Sequence, residues 1–221
     1  MSNASFTRDE VILALDALYS SENEHLNADS KEMAELSALL KRLPIHPFEN
    51  RRKDFRTPTG IAAQLHRFQR AIITGVNKKN VGLSFFEINY EFENRHTELH
   101  NIASAIRRNE KYYVTGFGNS LEDYGFPEGT LLGHLHRIIE ARDGAKVEIA
   151  DHCEICHMKP KLYYQPCGTF LQSHFLIAPE EMDGKKKYGA ECFATVCPTC
   201  HAVLHRFRPW RTRDNYGEIL I

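Results

Sequence analysis

From Val11 to Tyr19 the chain is apolar at every position but Asp16. Thr7 and Glu10 stand at the Ser/Thr-x-x-Glu spacing in which each side chain satisfies the other's backbone N–H, so the pattern predicts a helix opening there. A second apolar series, Met33, Leu36, Leu39, Leu40 and Leu43, recurs at helical spacing behind a hydroxyl cap, Ser30, and is stopped by Pro44 and Pro47. Thr57-Pro58-Thr59 starts a third helix near Thr59, whose Ile61, Leu65, Phe68 and Ile72 share one face and leave Gln64, His66, Arg67 and Arg70 on others. Ser84 and Glu87 repeat the capping spacing. They predict one long helix to Arg108, with Phe85, Ile88, Phe92, Leu99, Ile102 and Ile106 turned inward.

Residues 1–110 therefore read as an all-α bundle. Residues 111–149 form a connecting stretch, turn-rich and aromatic over 112–130, with a short helix near 130–142 carrying His134, His136 and Arg137. Those two histidines fall on different faces and are expected at the surface. From residue 150 to 221 the pattern changes to short apolar runs between cysteine pairs. The expected fold class is a mainly α N-terminal helical domain followed by a small α+β module.

Charge changes the picture only through its distribution. The formal net charge is −1, yet by segment it is roughly −5 for 1–50, +7 for 51–82, −4 for 83–150 and +1 for 151–221. Arg51, Arg52, Lys53 and Arg56 precede the third helix, and Arg67 and Arg70 lie on it, which is what a phosphate-contacting or groove-inserting helix needs. A solvated charged face explains the same residues. The 221 residues, 42% of them hydrophobic, suffice for one compact body or two small ones. No stretch resembles a spanning or signal segment, so a soluble, cytoplasmic protein away from membranes is expected.

The chemistry lies near the end. Cys153-Glu-Ile-Cys156 and Cys197-Pro-Thr-Cys200 are two Cys-x-x-Cys knuckles. Each turns two sulfurs toward one point, and four thiolates suit a closed, structural Zn²⁺ site. The ion would let a polar segment fold without a large core. Between the knuckles, Phe170-Leu-Gln-Ser-His174 and the run to Pro179 read as a strand, and the turn-like Glu-Glu-Met-Asp-Gly segment precedes Lys185, Lys186 and Lys187. A helix starts at the second knuckle and carries His201 and His205 one turn apart. Knuckle, hairpin, knuckle and helix is a treble-clef (ββα-metal) layout. Cys167 and Cys192 fall outside the zinc set and read as buried small hydrophobes.

At these residues the sequence resembles the HNH (ββα-metal) nucleases, in particular bacterial restriction-type proteins described as modified-cytosine-specific. The matching stretches are Cys153-Glu-Ile-Cys156, Phe170-Leu-Gln-Ser-His174 and Val196-Cys197-Pro-Thr-Cys200-His201-Ala-Val-Leu-His205-Arg206, followed by Arg208-Pro-Trp210. Phe6-Thr-Arg-Asp-Glu10, Phe55-Arg-Thr-Pro-Thr-Gly60 and Phe126-Pro-Glu-Gly129 extend the likeness toward the amino terminus.

The resemblance implies metal-dependent hydrolysis of DNA phosphodiesters, with His174, His201 and His205 as ligands of a second divalent ion (Mn²⁺, Ni²⁺, Mg²⁺ or Zn²⁺). It also implies departures. The family places a general-base histidine where this chain has Phe175, and an asparagine where it has Cys192. In a second register His174 is the base and Ser173 takes the ligand position. His152 and His157, beside the first knuckle, are the candidate replacement bases. DNA, modified or not, is the implied partner, contacted by Arg51, Arg52, Lys53, Arg56, Arg67, Arg70, Lys185, Lys186, Lys187, Arg206 and Arg208, with a homodimer as a candidate arrangement. Three functions stay open: a restriction-type endonuclease with a degenerate site, a catalytically silent zinc-containing DNA-binding protein, and a protein-interaction module.

Overall fold

The computed structural model describes residues 4–20, 27–75, 83–113, 131–164, 170–206 and 210–220. The chain divides into two compact units, Met1–Asn119 and Ser120–Ile221. Most of its regular structure is helical: seven α-helices and one two-stranded sheet among the described residues.

The first unit holds α1 (Arg8–Ser20), α2 (Lys31–Arg42), α3 (Pro58–Thr74), α4 (Leu83–Phe92) and α5 (His96–Arg108). Helix α1 packs against all four others. That follows from its sequence, because a helix apolar on all sides is stable only when surrounded. Its start matches expectation: the Thr7 N–H donates to a Glu10 carboxylate oxygen at 2.9 Å. Ser30 caps α2 by accepting from the Met33 N–H at 3.2 Å, and Met33, Leu36, Leu39, Leu40 and Leu43 are all buried. Thr57 caps α3 through the Gly60 N–H at 3.2 Å, with Pro58 in the first turn and Gly75 closing the helix at φ 61°. Phe68 of α3 stacks on Phe85 of α4 with ring centroids 4.0 Å apart.

Two expectations fail here. Ile72 is exposed while Ala71 is buried in its place. The long helix predicted from Ser84 to Arg108 is two helices, because Arg95 takes a non-helical conformation and its guanidinium donates to the Glu91 carbonyl, 2.9 Å from Nε and 2.6 Å from Nη2. A side chain thus satisfies a carbonyl that a continuing backbone would have bonded.

The second unit holds α6 (Leu131–Arg142), β1 (Gln172–Phe175), β2 (Phe193–Val196) and α7 (Pro198–Arg206). The strands are antiparallel, with Gln172 opposite Val196 and Phe175 opposite Phe193. Both β1 and β2 have only four residues, too little sheet to be stable alone. Helix α6 and helix α7 each pack on β1. Gly144, just past α6, comes so close to β1 and β2 that a Cβ there would sit 3.0 Å from the Ser173 hydroxyl and 3.1 Å from the Phe193 ring. No described helix is long and apolar enough to cross a membrane. The expected turn-rich linker falls almost wholly outside the described residues, as do Cys167, Arg208 and the Phe126-Pro-Glu-Gly129 motif.

Candidate metal centres

Two clusters of donor atoms stand in the second unit. The first unites Cys153 and Cys156 from one turn with Cys197 and Cys200 at the start of α7, all four sulfurs lying within 4.8 Å of one another. The turn around the first pair is tight. His157 N–H donates to the Cys153 carbonyl at 2.9 Å, Cys153 N–H to the Met158 carbonyl at 2.9 Å, and His157 adopts φ 58°. A positive φ at a residue with a side chain is costly, so the turn is held by what surrounds it. The second pair is fixed by the helix start, where the Cys200 N–H points at the Cys197 sulfur at 3.5 Å.

Zinc–sulfur bonds of about 2.3 Å place tetrahedral ligands roughly 3.8 Å apart. Cys156 and Cys197 sulfurs are 3.8 Å apart. Burial, with the neighbouring Cys197 and the charge of Cys153, drives the Cys200 thiol far above its ordinary range. Thiolates gathered this closely repel one another, and a dication between them reverses that penalty. The cluster can therefore bind a metal ion such as zinc. Ile155, Leu171, Val196 and Leu204 pack around it.

The second cluster gathers Glu140 from α6, His174 from β1, and His201 and His205 from α7, again with donor atoms within 4.8 Å of one another. Glu140 Oε1 is 3.5 Å from His174 Nδ1 and 3.5 Å from His201 Nε2. Strand alternation points His174 at α7, and the one-turn spacing of His201 and His205 puts both on the facing side of that helix. His174 is almost wholly buried, and neither ring nitrogen has a hydrogen-bond partner among the described residues. Burial, then the nearby charge of His136, keeps it well below the ordinary imidazole range against the pull of Glu140. It is neutral, the state that offers a lone pair to a metal. His201 Nδ1 meets Gln172 Oε1 at 2.6 Å. Because that oxygen only accepts, Nδ1 carries the proton and Nε2 faces the cluster.

Glu140 is the residue that sequence reasoning missed. Burial would raise its carboxyl, but the charge of His136 and then His201 and His174 hold it well below the ordinary carboxylate range. His136, expected at the surface, is fully buried. Its Nε2 hydrogen-bonds the Phe175 carbonyl at 2.9 Å and its Nδ1 is 3.5 Å from Glu140. The one available signal was the i, i+4 spacing of His136 and Glu140 on a helix. Trp210 closes the apolar side, donating to the Leu176 carbonyl at 3.2 Å beside the His136, His174 and His205 rings.

Phe175 does not point at this cluster. Its ring is buried between Tyr188 and Phe193. Cys192 is half-buried rather than a core residue, with Glu191 as its side-chain neighbour at 3.8 Å. His152 and His157 stay with the first knuckle, where His152 pairs with Asp151 at 2.7 Å.

The basic residues divide sharply. Arg56 is buried and binds Glu10 through Nε at 2.6 Å and Nη2 at 2.8 Å. Arg51 donates to the carbonyls of Lys41, Leu43 and His46. Both are consumed inside the fold, which corrects their reading as phosphate contacts. Arg52 pairs with Asp54 at 3.0 Å and Arg206 donates to the Ala202 carbonyl at 3.0 Å, both from exposed positions. Lys53, Arg67, Arg70, Lys185, Lys186 and Lys187 are exposed. Of these, Lys186 lies over the Tyr188 ring and Lys187 is 3.9 Å from Asp143.

The chain matches no protein-family model, no curated protein and no solved structure.

Proposed function

We propose that the second unit is a treble-clef module of HNH type that hydrolyses DNA phosphodiesters with a divalent ion, the four cysteines forming its zinc scaffold. One observation carries the reading: a strand histidine and two helix histidines converge on one point, and their helix also carries Cys200 of a tetracysteine cluster. A bound divalent ion supplies Lewis-acid charge to a phosphodiester oxygen. The chain's part is to hold that ion through His174, His201 and His205, to fix the His201 tautomer through Gln172, and to keep water from the apolar side with Trp210. Substrate approaches over the His201 and Glu140 edge, where the side chains are 18% and 14% exposed, against 1% for His174. Lys185, Lys186 and Lys187, with Arg67 and Arg70 on the helical unit, offer positive charge to the phosphate backbone.

A specific observation favours a second reading, a silent zinc-containing DNA-binding protein. The side chain at the base position, Phe175, is apolar and buried. Loss of a general base costs about 10²–10⁴ in rate, so slow cutting is expected. Plasmid nicking by the purified protein with Mg²⁺, Mn²⁺, Ni²⁺ or Co²⁺, on unmodified and cytosine-modified DNA, tests both against a His201→Ala control. Nicking that the control abolishes supports the nuclease. Salt-sensitive DNA retention without nicking supports the silent binder, and neither sinks both.

A further inference from the structure

We propose that Glu140 is a metal ligand, so that the second ion is held by a carboxylate from α6 together with His174, His201 and His205. Bonds of about 2.0–2.1 Å to nitrogen and oxygen put tetrahedral ligand atoms roughly 3.4 Å apart. The two 3.5 Å separations from Glu140 Oε1 to His174 and His201 match that edge, and they are too long for the hydrogen bonds that would otherwise explain the contact. His174 supplies the independent sign of a missing partner: its ring is buried, and both nitrogens lack hydrogen bonds among the described residues. A buried imidazole left in that state is costly unless something accepts its lone pair.

The carboxylate is also held in place from behind. Phe175 N–H donates to Glu140 Oε1 at 3.0 Å, and His136, hydrogen-bonded to the Phe175 carbonyl, packs 3.5 Å from the same oxygen. Metal-ligating groups are oriented by such outer partners. Phe175, whose side chain cannot act as a base, thus serves the site through its backbone. One carboxylate with three imidazoles suits Zn²⁺, Mn²⁺ or Ni²⁺ better than Mg²⁺, which prefers oxygen.

The assignment deepens the metal-dependent reading above, but its test does not need DNA cleavage. Full-length protein is titrated with Zn²⁺ and the bound metal counted by elemental mass spectrometry. Wild type is expected to hold two ions per chain and Glu140→Ala one. Glu140→Gln keeps the size of the side chain and an acceptor for Phe175 N–H, so it guards against simple misfolding. It is expected to weaken the second ion by more than the ~10–100-fold that losing an outer partner costs, and His136→Gln by no more than that. Wild-type protein holding a single ion, or Glu140→Gln binding the second as tightly as wild type, overturns the proposal. Two ions without DNA cutting would sink the nuclease reading alone. Cutting and wild-type zinc affinity in Glu140→Gln would sink the Glu140 assignment alone.

Discussion

In the helical unit the buried carboxylates Glu10 and Asp16 are each met by side chains of the same unit: Arg56 and His46 on the first, Arg107 at 2.6 Å and His100 at 2.9 Å on the second. In the second unit four thiols face one another, and three imidazoles and a carboxylate do the same. One unit completes its electrostatics with its own chain, and the other gathers donors that an ion from outside would complete. Both units bury apolar side chains: Val11 through Leu15 and Leu18 from helix α1 in the first, and Leu135, Ile139, Phe175 and Phe193 in the second. What the second unit adds is the two donor clusters, set on a sheet whose strands have four residues each.

The harshest way to break this comparison is chelation. Stripping metal with a strong chelator removes folding free energy of about 10–16 kcal/mol in small tetracysteine modules. Hydrogen exchange is then expected to lose protection in residues 172–175 and 193–196 while α1 stays protected. Equal loss in both units would show that they do not differ in this way.

In the helical unit the corresponding blow is Arg56→Met. It strands Glu10, whose side chain is 0% exposed, and breaking such a buried pair costs about 3–5 kcal/mol, readable from denaturant unfolding. Zinc content should not change.

Acid sharpens the same contrast. Despite the opposing effect of burial, the hydrogen bonds and charges of His46 and Arg56 hold the Glu10 carboxyl below its ordinary 4.5. A depressed carboxyl contributes stability that is present above its unfolded value and is lost as pH falls through the folded one. Unfolding of the helical unit should therefore steepen below pH 4.5, and Glu10→Gln should flatten that limb while lowering stability at neutral pH.

The smallest effect expected is that of Ser30→Ala. It removes the acceptor of the Met33 N–H and should cost about 1 kcal/mol with no effect on metal binding.

Much of this was legible locally. The hydroxyl caps at Ser30 and Thr57 and the inward face of α2 act within a few residues, so their pattern is visible in any short window. The cysteine pairs are legible because ligand spacing is itself a local geometry. The Arg95 break was not, since a side chain closing its own helix end leaves the apolar periodicity intact. The sequence makes Arg51 and Arg56 candidate phosphate contacts because a run of cations looks the same whether it meets water, phosphate or a buried carboxylate. Arg56 meets Glu10, 46 positions away along the chain.

By itself, then, the sequence determined the helical character of the first unit, the two cysteine pairs and the one-turn spacing of His201 and His205, because each rests on periodicity or spacing between near neighbours, while only a family resemblance tied His174 to them. Only the tertiary structure decided that α6 packs on β1 and brings Glu140 and His136 to those histidines, that Phe175 turns its ring away, and that two arginines are spent inside the fold. These depend on which surfaces meet across long stretches of chain, and a one-dimensional pattern carries no distance between them.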